Sequence, residues 1–259
     1  MIFEHELKVA LAAAKEAADA ICEFNGTETE IQYKNPIEPV TEADMVADRI
    51  LSAALLGAFP DYGWLSEESI DSPARLSKDY VWVVDPLDGT REFIAGRPEY
   101  CVSVGLVVKE EPVLGVIVNP ATGHCFSAVI GAGSTLDGEP IHVSKTVDSA
   151  TGVTLVSRSE SRRNLLTRFD SILTLEPMGG MSHKLCLVAA GHAAATFTRF
   201  PRNEWDVAAG IVILQEAGGV MTRLDGSPLR FNQSSPEIVG MAASNNGSHQ
   251  ELLDLVNSV

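Results

Sequence analysis

The sequence has no apolar run long enough for a bilayer, few cationic side chains and no paired cysteines. Its longest apolar stretches, such as Val81–Val84 and Val113–Val118, fall far short of the roughly 20 residues a membrane helix needs. Cysteine occurs only at positions 22, 101, 125 and 186. The absence of a C-x-x-C pair or a compact cysteine framework points to reduced core thiols. The N-terminus opens on Glu4, His5 and Glu6, not on a basic segment followed by an apolar one, so no secretory signal is expected and a cytoplasmic location is. With 19 basic residues against 35 acidic ones the formal charge is −16, which argues against binding nucleic acid polymers or anionic membranes through a basic patch. Repeats, low-complexity segments and flexible linkers are also missing.

What is present is core-forming material: 259 residues, 45% of them hydrophobic, enough for one large domain or two closely packed ones. Leu7, Leu11, Ala14, Ala18 and Ile21 recur at helical spacing over residues 4–24, with Asn25-Gly26 as a stop. A second helix is predicted from Thr41 to about Ala58, opened by a capping-box-like Thr41-Glu42-Ala43-Asp44. Strand-like runs follow at Tyr100–Val108, Val113–Asn119 and His124–Ile130, with connections short enough for an antiparallel meander. Another short strand is expected at Ile141–Val143. Beyond residue 150 strands and helices alternate. Strands are expected at Val153–Val156, Ile172–Leu175, Ala194–Thr198, Val220–Thr222 and Ile238–Ala243, and helices at Ser161–Phe169, Ser182–Ala190, 204–217 and Gln250–Val256. An α+β half, residues 1–145, thus precedes an α/β half, 146–259.

The chain is organised around Trp82–Phe93. Val81–Val84 reads as a short buried strand that Pro86 should end. Asp85 and Asp88 follow, and then Gly89-Thr90 opens a short helix whose unpaired amides favour an anion. Hard oxygen ligands for a divalent cation therefore adjoin a phosphate cradle. Three other acids have plain explanations of their own. Asp44 caps a helix, Glu67 lies in a solvated Glu67-Glu68 turn, and Asp206 stabilises the first turn of the helix beginning near Asn203.

Taken together, Asp85-Pro-Leu-Asp88-Gly-Thr90-x-x-Phe93, Glu67-Glu68-Ser69 upstream and Trp205-Asp206-Val-Ala-Ala-Gly210 downstream resemble the inositol monophosphatase superfamily, from about Ala10 to Gly226. These are magnesium-dependent, lithium-inhibited phosphomonoesterases with a layered α-β-α-β-α fold. The resemblance implies that Glu67, Asp85, the Leu87 carbonyl, Asp88 and Asp206 hold two or three Mg²⁺ ions. It also implies that Glu67 and Thr90 position the attacking water, with Asp44 bonded to Thr90, and that the Gly89 and Thr90 amides hold the phosphate. Such a set suits Mg²⁺, which prefers carboxylate, carbonyl and water oxygens and can both activate water and stabilise the leaving alkoxide.

Within the superfamily, Ser157-Arg158-Ser159, Gly180-Met181-Ser182-His183-Lys184-Leu185-Cys186 and Arg199-Phe200-Pro201 look most like the 3′(2′),5′-bisphosphate nucleotidases. These remove the 3′-phosphate of adenosine 3′,5′-bisphosphate. Ser182, Lys184 and Arg199 would then bind substrate, the two cations taking its second phosphate; the plain alternative for them is an ordinary surface ion pair. Met181 and Glu160 depart from that subfamily, which usually carries serine and histidine there. An inositol-phosphate or sugar-phosphate monoesterase is the enzymatic alternative, and a regulatory protein of the same fold the non-enzymatic one. The substrate is a small phosphorylated molecule, and the assembly a monomer or homodimer.

Overall fold

In the computed structural model, residues 2–24, 31–35, 38–145 and 152–258 are described; the helix stop read at Asn25-Gly26 lies outside them. The first part begins with helix α1 (Glu4–Cys22), a two-stranded ribbon β1 (Gln32–Asn35) and β2 (Glu38–Val40), and helix α2 (Glu42–Ala58). Strands β3 (Gly63–Ser66) and β4 (Tyr80–Asp88) follow, then the short helix α3 (Thr90–Ile94). The meander β5 (Cys101–Val108), β6 (Glu111–Val118), β7 (Cys125–Val129), β8 (Ser134–Leu136) and β9 (Glu139–Pro140) completes a seven-stranded sheet in sequence order β3 to β9. Only β3 and β4 pair in parallel; the other neighbours are antiparallel.

The second part contains β10 (Val153–Ser157), α4 (Arg158–Arg162), β11 (Thr174–Met178), α5 (Met181–Ala189), β12 (Ala195–Asn203), α6 (Ala208–Glu216), β13 (Gly219–Arg223), β14 (Glu237–Asn245) and α7 (His249–Asn257). Its sheet runs β11-β10-β12-β14-β13, parallel among the first three and antiparallel around β14.

Strand alternation sets the layering, because successive side chains point to opposite faces. On β4 and β5, Trp82, Val84, Val102, Val104 and Leu106 pack beneath α1 and α2. Val81, Val83, Cys101 and Val107 face the other way, into a central core shared with α5, α6 and the second sheet. A third core, with Val156, Phe197 and Ala242, lies between the second sheet and α7. The fold is therefore the layered α-β-α-β-α arrangement. Alanines at 10, 13, 14, 17 and 18 make the buried face of α1 shallow, so it lies close to its neighbours.

Several boundaries differ from those read in the sequence. Residues 141–145 form no strand; Val143 donates instead to the Ala217 carbonyl at the end of α6 (3.0 Å), and its side chain packs on the central core. The helix expected over 161–169 is replaced by α4 and a 3-10 turn, Thr167–Phe169, separated by Asn164 in a left-handed conformation. The helix expected over 204–217 is a 3-10 turn, Glu204–Asp206, followed after Val207 by α6.

Candidate metal and phosphate site

Strand β4 does not stop at Pro86. Its register with β5 passes from Asp85 opposite Ser103 to Asp88 opposite Cys101, so Pro86 and Leu87 together face only Val102. This bulge removes the proline from the hydrogen-bond ladder, where its missing N–H would matter, and delivers both aspartates at the strand end. Asp85 is 1% exposed. Its Oδ1 accepts the Leu87 amide at 3.0 Å, while its Oδ2 is buried without a donor.

Single oxygens of Glu67, Asp85 and Asp206 lie within 4.8 Å of one another. Glu67 comes from the end of β3, where its amide extends the pairing by donating to the Val84 carbonyl at 3.3 Å. Asp206 closes a capping box on the 3-10 turn, accepting the Asn203 amide at 2.7 Å. Burial foremost, and then the charges of Glu67, Asp88 and Asp206, push the Asp85 carboxyl well above its ordinary range. Burial, with Asp88 and Glu67, pushes Asp206 up to about 7. Three acids this close exclude one another's charge unless protons or a cation offset it. An orphaned carboxylate oxygen amid an all-oxygen donor set fits a hard divalent cation.

Asp88 approaches from the same strand end but is tied across the interface. Its Oδ2 accepts the Ser182 amide at 2.6 Å, and the Met181 amide also bonds to it, so the start of α5 supports this carboxylate. Burial still raises its pKa, with the nearby Lys184 charge and these amides pulling the other way. Gly180, at φ 62°, carries the chain into α5, and a Cβ there would stand 3.1 Å from the Glu99 carbonyl oxygen.

Helix α2 joins the site through Asp44, whose Oδ2 accepts the Thr41 amide (2.7 Å) and hydroxyl (2.6 Å). Its Oδ1 faces the Thr90 hydroxyl at 2.9 Å. The capping role and the Thr90 contact thus coexist, one on each oxygen. Thr90 Oγ1 also lies 3.1 Å from the Leu87 carbonyl. Gly89, at φ 100°, makes the turn into α3; a Cβ would meet the Glu99 carbonyl oxygen at 2.7 Å, so the turn requires glycine.

The candidate substrate residues separate. Lys184 is 3% exposed on α5, with no carboxylate at ion-pair distance among the described residues. Burial, then the Arg202 charge, push its amine down to about 8, with Asp88, Glu160 and Glu92 opposing. Ser182, fully buried, donates its hydroxyl proton towards the Asp206 carbonyl at 2.8 Å, with Ser103 Oγ at 3.1 Å. Contrary to the expectation of a substrate contact, its hydroxyl braces α5 against the Asp206 turn. Arg199 also differs from expectation. It shares a face of β12 with Phe197 and donates to the Val256 carbonyl of α7 at 2.9 Å, on the far side of the sheet from α5. The arginine whose charge reaches Lys184 and Asp206 is Arg202, held to Glu160 at 2.6 Å.

Two contributors escaped the sequence reading. Arg202 lies beyond a register shift between Thr198 and Pro201 that spacing cannot reveal. Asp48, one helical turn after Asp44, binds Ser66 Oγ (2.6 Å) and Ser69 Oγ (2.9 Å) on either side of Glu67; its i,i+4 spacing from Asp44 was the available signal.

Comparison with known proteins agrees with this geometry. Residues 3–258 match the model of the inositol monophosphatase family. An inositol-1-monophosphatase from Synechocystis is 34% identical over 255 residues, covering 95% of this chain and 86% of that protein. The Nus factor SuhB of Pseudomonas aeruginosa is 34% identical over 238 residues, 85% of this chain and 86% of its own. Among solved structures, the Thermotoga maritima IMPase superposes with a TM-score of 0.87 at 27% identity, over 98% of this chain and 97% of that one. Acids from both parts of the chain meeting beside a Gly-Thr turn, and a family match over nearly the full length, place this metal-dependent phosphatase in the inositol monophosphatase family.

Proposed function

We propose that the chain is a Mg²⁺-dependent phosphomonoesterase that removes the 3′-phosphate of adenosine 3′,5′-bisphosphate by attack of water. In this reading Glu67, Asp85, the Leu87 carbonyl, Asp88 and Asp206 hold two or three Mg²⁺ ions. Bound Mg²⁺ supplies charge neutralisation and lowers the pKa of coordinated water. Glu67 accepts a proton from the attacking water. Thr90, its own proton directed at Asp44 Oδ1, has a lone pair left to accept the water's other hydrogen. The Gly89 and Thr90 amides, opening α3, cradle the phosphate. The close approach of Glu67, Asp85 and Asp206 oxygens, with Asp85 Oδ2 unpartnered, carries the metal assignment.

The substrate assignment rests on Lys184, a buried amine with no carboxylate at ion-pair distance among the described residues, reinforced by Arg202. A buried cation of this kind suits a second anionic group. Inositol 1-phosphate is the second reading, favoured by relatives named inositol monophosphatase and by the direction of Arg199. We place the enzyme in the cytoplasm, as a monomer or homodimer sensitive to lithium, with 1–145 and 146–259 as its two halves. No helix among the described residues is long and apolar enough to cross a membrane.

Phosphate release from adenosine 3′,5′-bisphosphate, inositol 1-phosphate and fructose 1,6-bisphosphate, with and without Mg²⁺, tests this. The expected result is Mg²⁺-dependent turnover with preference for the first. Preference for inositol 1-phosphate would overturn the role of Lys184, and turnover undiminished by chelator would overturn the metal assignment.

A further inference from the structure

Asp48 lies on α2, and its two oxygens hold the loop that carries Glu67. Ser66 Oγ donates to Oδ1 at 2.6 Å and Ser69 Oγ to Oδ2 at 2.9 Å. Each serine oxygen also accepts a further hydrogen bond. The Glu68 amide donates to Ser66 Oγ at 3.3 Å, and the Trp64 indole N–H donates to Ser69 Oγ at 3.2 Å. Glu67 therefore sits inside a four-residue turn whose two ends hang on one carboxylate. Asp48 is 8% exposed and Ser66 3% exposed, so these charge-assisted bonds face little competition from water.

The position of Asp48 on α2 gives the clamp a second meaning. Asp44 lies one turn earlier on the same face of the helix and holds Thr90 through Oδ1 at 2.9 Å. The first turns of α2 thus fix Glu67 through Asp48 and Thr90 through Asp44. These come from separate segments, the end of β3 and the start of α3. Strand pairing alone sets only the backbone beneath Glu67, whose amide meets the Val84 carbonyl at 3.3 Å. The bonds from Ser66 and Ser69 to Asp48 add a side-chain support on each side of Glu67.

We propose that Asp48 is a positioning residue that sets the Glu67 carboxylate for divalent-ion binding, so that α2 aligns Glu67 with Thr90. The proposal rests on the metal reading of the Glu67, Asp85 and Asp206 cluster. Groups that orient ligands from behind typically contribute on the order of 10–100-fold in metal affinity or activity.

The test combines Asp48→Asn with Ser69→Ala and Ser69→Thr, the Ser69 changes being the milder because that side chain is only half-buried. Mn²⁺ binding is measured by loss of the free-ion EPR signal, and Mg²⁺ binding by competition with it. The metal-free melting temperature is recorded alongside, and kcat and KM are measured on the best substrate. Asp48→Asn should weaken Mn²⁺ binding at least about 10-fold and lower kcat with little change in KM. Ser69→Ala should shift both in the same direction by less, and Ser69→Thr, which keeps the hydroxyl, should restore them. Loss of melting temperature with unchanged Mn²⁺ affinity would overturn the positioning role. So would Ser69→Ala and Ser69→Thr behaving alike. Wild-type protein that binds no divalent ion would instead overturn the metal reading itself, and the proposal with it.

Discussion

Gly115 lies directly against the Ala209 backbone. A Cβ on Gly115 would meet the Ala209 carbonyl carbon at 2.9 Å and Cα at 3.0 Å, with the oxygen closer still. Gly105, its cross-strand partner, stands in the same way against Ala208, with the nearest atom at 3.0 Å. These two glycines let the start of α6 lie on the sheet backbone, and Asp206 ends the 3-10 turn that only Val207 separates from it. Packing of the central layer therefore places one acid of the site.

Gly115→Ala should consequently destabilise the protein by about 1–3 kcal/mol, the usual cost of overpacking a close contact, and weaken divalent-ion binding. Gly105→Ala should cost less, because its Cβ would meet nothing nearer than 3.0 Å, whereas that of Gly115 would overlap the Ala209 carbonyl oxygen. Denaturant unfolding with Mn²⁺ titration checks both. Equal midpoints for wild type and Gly115→Ala would mean that α6 moves away without consequence.

The sequence made the carboxylates legible because they sit in short motifs, and the layers legible only through the resemblance those motifs carry, since Val81–Val84 is apolar throughout and shows no alternation. It hid what depends on bulges. The shift at Pro86-Leu87 keeps β4 running to Asp88, and the shift between Thr198 and Pro201 brings Arg202 to Glu160. The placement of Arg199 has a different origin. Motif position suggested a phosphate ligand, whereas simple alternation from Phe197, which packs in the outer core with Val256, already put it on the α7 side. No motif marks Asp48, because its partners, Ser66 and Ser69, are common loop residues without a motif of their own.

The stabilisation by Mg²⁺ should grow with pH. Asp206, at about 7 when folded, has a raised pKa, so the metal-free folded state binds more protons than the unfolded chain between about 4 and 7. The stability from that proton is lost as pH rises through 7. A cation takes the proton's place and binds better as it leaves. At Mg²⁺ about 100 times its Kd, a gain of about 2.7 kcal/mol corresponds to roughly 5–10 °C. Thermal melts at pH 5.5 and 8, with Mg²⁺ and with chelator, should show a larger difference at pH 8. A difference that shrinks with pH would contradict the acid-cluster assignment.

Lys184 predicts a substrate-dependent pH profile. Its amine, lowered mainly by burial to about 8, is cationic below that pH and neutral above it. For adenosine 3′,5′-bisphosphate, kcat/KM should fall above pH 8, approaching tenfold per unit, because this ratio reports the free enzyme's ionisations. For a monophosphate the alkaline limb should be weaker. Lys184→Met should remove the difference between the two profiles. Identical alkaline limbs in the wild-type enzyme would show that Lys184 does not face the second anionic group.

The two arginines of β12 should separate in their effects. Arg202 is joined to Glu160, whose Oε1 also accepts the Thr198 hydroxyl at 2.8 Å, and its charge reaches Lys184 and Asp206. Removing it should harm turnover of a bisphosphate more than of a monophosphate, because the second anionic group loses a cation near its binding place. Arg199 instead donates to a carbonyl in the last turn of α7, where a cation also meets the negative end of the helix. Arg199→Gln should therefore cost about 1 kcal/mol of stability and leave the ratio of the two substrates' kcat/KM unchanged. Arg202→Gln should lower that ratio on the order of 10-fold, the scale of one charge-assisted hydrogen bond. Steady-state kinetics on both substrates, with urea unfolding of each variant, distinguishes the roles. A ratio that falls in Arg199→Gln and holds in Arg202→Gln would return the second-phosphate role to Arg199.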